Sequence, residues 1–300
     1  ASIAACDFLH GTAPWRFEHG AEERVLVDDT PRDFAVIREP NPDLGCQPQA
    51  RRMKLYPVRM MPEQFIGTPQ IDAAETIQAA LDEAARYGGG IVYLPPGKYL
   101  IANPLVVPEG VELRGSHAVP HHTNAPGTTL LITHGEGDAD AEPAISLSAC
   151  SGIRGLNVWY PRQRIGAVVP YSWTVRLAGE DAWVIDVSLG NSYKGIDAWN
   201  GTGGHYLEYV TGCMLKEGIR VSGSDRRGWL KNIHLNPHMY FRTIGTDLPN
   251  SSLDQADEAI NFRILLPWLD RELEYAFRFG GTRNEVVFNC FSYRSKLGLD

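Results

Sequence analysis

The sequence predicts an all-β solenoid, a parallel β-helix closed at its N-terminal end by a helix. Three observations predict it. Apolar runs are short and are broken by 30 glycines and 20 prolines in 300 residues, the density of turn formers expected between many short strands. Five runs superpose on one pattern: IRGLNV (153–158), VIDVSL (184–189), YLEYVT (206–211), LKNIHL (230–235) and VFNCFS (287–292), recurring after 31, 22, 24 and 57 residues. Repeats of that order mark stacked architectures, and the absence of a helix in them excludes leucine-rich, ankyrin and helical arrays.

Residues 1–65 contain two strand-like runs, RVLVDD (24–29) and FAVIRE (34–39), and then the turn-rich EPNPDLGCQPQ. They read as an N-terminal β-rich arm or the end of a preceding module, with the β-helix domain over 66–300. IDAAETIQAALDEAARYGGG (71–90) reads as one helix. Asp72 stands at its N-cap with Glu75 completing a capping box. Ile77, Leu81 and Ala84 share a face, and Gly88 to Gly90 end the helix. Laid across the first coil, this helix would cover unpaired strand edges that otherwise invite aggregation. IVYL, KYLI, PLVV, VELRGS, TLLIT and AISLS follow as short strands.

Within the repeat, apolar residues at positions 1, 4 and 6 break simple alternation by one residue, which predicts a corner at positions 2 and 3. Position 3 holds Gly155, Asp186, Glu208, Asn232 and Asn289; asparagines there can hydrogen-bond to their copies in the next coil. A companion strand repeats in phase at Gly195-Ile196-Asp197, Gly218-Ile219-Arg220 and Gly298-Leu299-Asp300. The 57-residue interval predicts an extra coil plus an inserted helical loop at about 244–281, with Leu253, Ala256 and Ile260 on one face and Asp254, Asp257 and Glu258 either near a cleft or solvated. The final G-L-D matches the start of a strand, so the chain is expected to end mid-solenoid, as a fragment, a cleaved product or a chain completed from elsewhere.

A net charge of −8 gives no global field for nucleic acid or an anionic membrane. No apolar run approaches a membrane span, and no signal pattern is visible. Cys6, Cys46, Cys150, Cys213 and Cys290 form no C-x-x-C pair, so they are expected as small buried hydrophobes rather than a zinc site or disulfide framework. HAVPHH (117–122) and HLNPH (234–238) lack an established ligand spacing, and no metal is assigned.

The run IDAAETIQAALDEAARYGGGIVYLPPGKYLI resembles the N-terminal signature of the pectate-lyase-like, right-handed β-helix superfamily. The resemblance covers about residues 66–116 and implies a secreted or cell-surface, carbohydrate-active protein that acts on a polysaccharide or oligosaccharide. It implies no cofactor, with calcium entering only for a lyase, and leaves room for an oligomer. The two adjacent aspartates, Gly-His-Gly and Arg-Ile-Lys of polygalacturonase-like members are not found intact; Gly203-Gly204-His205 lacks the glycine after the histidine. No set of catalytic residues carries over.

Alternation on the companion strand turns Arg176, Asp197, Trp199, Arg220 and Ser222 outward. Arg176, Asp197 and Arg220 then stack in one column, which is either a glycan site with Asp197 as acid or nucleophile and the arginines on substrate, or a surface ion ladder. Asp186 and Glu208, at one repeat position in consecutive coils, would lie about one strand spacing apart, as a retaining glycosidase's pair requires; the alternative is a corner ladder. Glu217 and Asp225 flank the GIRVSG strand as further acids. Five of the seven tryptophans fall in 159–229, and aromatic faces suit sugar rings. Trp199, Tyr193 and His205 join Arg176 and Arg220 as expected substrate contacts. The expected activity is glycoside hydrolysis by paired carboxylates; the alternatives are a uronate lyase using Arg220 or Arg176, or a non-catalytic tailspike- or adhesin-type binder.

Overall fold

The computed structural model describes five short strands before residue 70, and residues 71–119, 123–200, 203–243, 247–249 and 258–300. Every pairing between the described strands of the solenoid is parallel, and successive coils stack into three ladders. The first face runs through Gly90–Tyr93, Val111–Arg114, the start of Gly152–Trp159, Trp183–Leu189, Tyr206–Gly212, Trp229–Lys231 and Val286–Phe288. The second face follows each corner and includes Gly97–Ile101, Thr128–Ile132, His234–Leu235 and Phe291–Tyr293. The third is an eight-stranded ladder that includes Trp173–Leu177, Lys194–Ala198, Glu217–Val221, Tyr275–Phe279 and Leu297–Leu299. Val184, Leu207, Leu230 and Val287 stack inside the first face, and Val175, Ile196, Ile219 and Phe277 inside the third, all buried.

The predicted corner is a left-handed residue. Gly155, Asp186, Tyr209, Asn232 and Asn289 have φ of 65°, 54°, 51°, 54° and 51°. Glycine and asparagine tolerate this conformation best, and the Asn289 Nδ2 donates to Asn232 Oδ1 at 2.8 Å. The corner also corrects the third repeat. Val184 pairs with Leu207 and Ile185 with Glu208, so the run begins at Leu207, not Tyr206. Tyr209 is the corner, and the two middle repeats are both 23 residues long. Asp186 and Glu208 are therefore not equivalent. The aromatic ring of Tyr206 mimics an inward residue in the sequence, but the backbone turn sets the register.

The 57-residue interval hides no extra coil, because Trp229 pairs directly with Val286 and Lys231 with Phe288. One coil is enlarged by an insertion carrying α2 (His238–Phe241) and α3 (Glu258–Glu272). The insertion ends earlier than expected, since Tyr275–Phe279 is already a strand of the third face. α3 buries Leu265 and Leu269, and its Trp268 Nε1 donates to Leu215 O at 3.1 Å. Ile260, expected on the packed face, is 45% exposed. Leu253, Asp254, Ala256 and Asp257 lie outside the described residues, as does the Glu258 side chain.

Helix α1 (Ala74–Arg86) buries Ala74, Ile77, Leu81 and Ala84 against the first coil. Its capping differs from the sequence expectation. Ala73 is the N-cap, and no capping box forms. Asp72 instead uses Oδ1 to accept from the amides of Ala74 and Ala102, both at 3.0 Å, and Oδ2 to accept from Asn103 Nδ2 at 2.8 Å. The carboxylate thus ties the helix start to the end of the second-face strand. Gln78 closes the third-face edge: its Nε2 donates to Val106 O and its Oε1 accepts from Val106 N, both at 2.9 Å. The side-chain amide replaces a missing neighbouring strand. Leu55–Pro57 pairs with Gly90–Tyr93 and covers the remaining edge. Gly88 and Gly89 end the helix at φ of 87° and 100°, and a Cβ on Gly89 would lie 2.4 Å from Gly110 O.

At the far end, strands from the start of the chain pair with the last coil. Ser2–Ala4, Asp7–Leu9 and Ala13–Trp15 pair with Val286–Phe288, Phe291–Tyr293 and Leu297–Leu299, and Leu26–Asp28 adds beyond Ser2–Ala4. The N-terminal strands therefore continue the solenoid where residue 300 leaves it; FAVIRE lies outside the described residues. Cys213 and Cys290 are buried and free as expected. Cys150 departs from that expectation and is disulfide-bonded. No helix among the described residues is long and apolar enough to cross a membrane.

Gln78→Leu removes both bonds to the Val106 edge and is expected to lower stability by about 1–2 kcal/mol. Urea unfolding checks this; an unchanged midpoint would show that the amide does not hold the edge.

Candidate functional site

The third face presents an ordered outer surface. Its register places Ser146 beside Arg176, Arg176 beside Asp197, Asp197 beside Arg220, and Arg220 beside Arg278. The outward column read from the sequence is present and longer than expected. Arg278 falls within the span 244–281 that reads as an insertion, although Ala276-Phe277-Arg278 repeats the pattern of Gly218-Ile219-Arg220.

Asp197 is buried and doubly paired: Arg176 Nε donates to Oδ2 at 2.9 Å and Arg220 Nε to Oδ1 at 2.8 Å. Burial pushes its carboxyl up, but the bonds and charges of Arg220 and Arg176 outweigh it and hold the group below the usual carboxylate range. Both oxygens are filled, and Oδ1 also accepts from the Trp199 amide at 3.2 Å. This geometry suits a fixed counterion that positions two arginines, and argues against a proton donor or nucleophile. Arg278 Nε is held by Asp300 Oδ2 at 3.2 Å.

Aromatic rings fill the spaces between cations. The Arg220 guanidinium lies 4.4 Å from the Trp173 ring centre and 5.5 Å from that of Trp199. The Arg278 guanidinium lies 5.1 Å from Trp199 and 5.5 Å from Tyr275. Such contacts hold a guanidinium without using its hydrogen-bond donors. The ion pairs run through Nε, leaving the Nη edges of Arg176, Arg220 and Arg278 without an acceptor among the described residues; their side chains are 40%, 24% and 36% exposed. Three cations face two carboxylates here, in a chain of net charge −8.

A second column flanks the first. Lys194 pairs in register with Glu217, with Nζ 3.4 Å from Oε1, and the Tyr275 hydroxyl donates to Glu217 Oε2. Glu217 remains partly exposed beside Arg220. The end of α3 walls this side, where Lys216 lies 3.5 Å from Glu272 and 3.1 Å from Glu274. Tyr193 is half-buried in the same turn, its carbonyl accepting from the Lys216 amide at 2.8 Å.

The other expected site residues do not join this surface. Glu208 lies on the first face, accepting from Tyr206 at 2.6 Å and paired with Lys231 at 3.1 Å. Asp186 sits at a corner, where burial raises its pKa, opposed by Arg154 and reinforced by Glu208; the register does not make the two a dyad. Asp225 is exposed in the connection between Glu217–Val221 and Trp229–Lys231. His205 is fully buried, its Nε2 2.8 Å from Glu285 Oε1, so it cannot reach a substrate at the surface. Among the described tryptophans, Trp159, Trp173, Trp183 and Trp229 are buried, while Trp199 and, on α3, Trp268 are half-exposed. His117 is buried on Ser188, and desolvation lowers its pKa to about 4. His121 and His122 lie outside the described residues, and no group of metal-ligating side chains occurs among those described.

Two outcomes follow. A Cβ at Gly228 would lie 2.4 Å from both His205 Nε2 and Glu285 Oε1, so Gly228→Ala is expected to destabilise by about 1–3 kcal/mol in thermal unfolding. Asp197→Asn is expected to cost about 3 kcal/mol at neutral pH, because two arginines lose a buried partner. A depressed native pKa contributes stability above the unfolded carboxyl value, lost as pH falls through the native one. The deficit relative to the parent should therefore shrink below about pH 4, as urea unfolding across pH would show.

The family model for rhamnogalacturonase A/epimerase, pectate lyase-like, matches residues 66–146. Comparison with curated proteins gives no match. Among solved structures, the A-module of the mannuronan C-5 epimerase AlgE6 from Azotobacter vinelandii superposes with a TM-score of 0.54 at 17% identity, covering 81% of this chain and 58% of that one. The tailspike gp49 of Acinetobacter baumannii bacteriophage Fri1, a capsular polysaccharide depolymerase, gives 0.39 at 13% identity, with 79% and 50% covered. The chain thus spans between half and three-fifths of the length of these two structures. With the matched segment lying on the cap helix and first coils, and with three parallel ladders stacked behind it, the chain is a parallel β-helix whose residues 66–146 match a pectate-lyase-like family model.

Proposed function

We propose that the protein is a carbohydrate-active enzyme whose third face takes an acidic polysaccharide, and that its chemistry is elimination beside a sugar carboxylate. The observation that carries this reading is the Arg176–Asp197–Arg220–Arg278 column with Trp173, Trp199 and Tyr275 packed against it. Free Nη edges suit carboxylates, which guanidinium groups bind as a planar fork. Trp199 offers a ring for the apolar face of a sugar.

A guanidinium pair on a uronate carboxylate stabilises the negative charge that develops when the adjacent carbon loses its proton. Glu217 is the base in this reading: Tyr275 fills Oε2, and Oε1, held only by the 3.4 Å ion-pair contact with Lys194, takes the proton. The C–H proton passes to Glu217, the C–H electron pair forms a carbon–carbon double bond, and the glycosidic oxygen leaves from the next carbon with its bonding pair and takes a proton from water. The AlgE6 module, by name an epimerase acting on mannuronan, is in keeping with chemistry at an acidic sugar. Hydrolysis by paired carboxylates has less support: Asp197 has both oxygens filled, and Asp186 and Glu208 lie out of register.

Incubation with acidic and neutral polysaccharides tests the proposal. Acidic polymer should yield new reducing ends together with the ultraviolet absorbance of an unsaturated product, and Arg220→Gln should lower that turnover by about 100-fold. Reducing ends without absorbance would establish hydrolysis instead. Binding without either product would leave a glycan-binding module.

A further inference from the structure

The two ends of the solenoid are closed in physically different ways. At the first coil, Asp72 and Gln78 close two strand edges with side chains carried on or beside α1, and α1 is anchored by four buried residues. At the last coil, the edges of Val286–Phe288, Phe291–Tyr293 and Leu297–Leu299 are closed by three separate short strands of the N-terminal segment, all parallel and in register.

We propose that this edge is a strand-acceptor site for the segment 2–15, and that it accepts the segment of a second copy as well as its own. The interaction is strand addition, in which main-chain bonds supply affinity whatever chain supplies the strand. The connection permits it. Leu26–Asp28 and Leu55–Pro57 are the two outermost strands of a ten-strand order, so nine spacings of about 4.8 Å separate them, roughly 43 Å. The 26 residues between Asp28 and Leu55 can span up to about 86 Å, so docking within one chain leaves slack enough to reach a neighbour. Reciprocal exchange of the segment closes a two-fold dimer, because each copy then gives and receives one coil.

The full chain tests this. Ile3→Pro with Ala4→Pro, and Phe8→Pro with Leu9→Pro, remove amides on both sides of two docking strands, so one of each pair breaks a bond to the acceptor edge. A fluorescent peptide of residues 1–16 should bind this four-proline chain one to one, and the parent chain at least tenfold more weakly. A folded four-proline chain, by circular dichroism, that takes up no peptide overturns the proposal. Should that chain fail to fold, the register decides instead. Ala4 lies opposite Phe288, so a peptide carrying Ala4→Cys and Cys6→Ser should form a disulfide with the Phe288→Cys chain. Cross-linking no greater than to a Tyr87→Cys chain, altered at the opposite end, overturns it.

Discussion

Parallel backbone pairing, rung on rung, is the constraint on which the rest of this molecule depends. Each coil has no core of its own; Val184, Leu207 and Leu230 become interior only when their strands pair in register. A one-residue slip would turn every such residue to the wrong face. The left-handed corner prevents the slip. It bends the chain at one place per coil, where only certain residues are comfortable, and the Asn232–Asn289 bond links neighbouring copies of the bend. Tyr209 takes the same conformation without a short polar side chain, so the geometry of the stack overrides local preference at that coil.

The same register builds the candidate site. Nothing in a single strand such as GIDAW or GIRVS is a binding site. Stacked at strand spacing, their outward residues become a line of guanidinium groups held by carboxylates and braced by rings. Arg220 and Arg278 are adjacent and alike in charge, which alone is unfavourable. Asp197 on one side and Asp300 on the other offset that repulsion, and Trp199 lies within cation–π reach of both arginines. The result is a column of three guanidinium groups against two carboxylates, flanked by a second column in which Lys194 and Lys216 meet Glu217, Glu272 and Glu274.

Stacking also creates the need for closure, because a solenoid has two open ends by construction. One end is sealed by a helix with side chains that imitate strands, the other by strands of the chain itself. The helix-borne closure is bound to a packed face. The strand closure is made by short segments paired in parallel with the last coil, which gives it the character of an exchangeable ligand.

The solenoid architecture, the cap helix with its Ile77–Leu81–Ala84 face, the corner position and the Arg176–Asp197–Arg220 column were legible in the sequence, because each follows from local periodicity or from a repeat. Three features were not. The register of the 206–212 strand depends on which residue adopts the left-handed turn, and Tyr206 offered a false apolar first position. Arg278 depends on where an insertion ends, which only strand pairing marks. The roles of Asp197 and His205 depend on burial and partners: the side chains contacting them come from other coils, up to 80 residues away for Glu285. The sequence by itself determined which residues repeat and which way they face. Tertiary structure decided which repeats are neighbours, and neighbours set the charge state, exposure and chemistry of each residue.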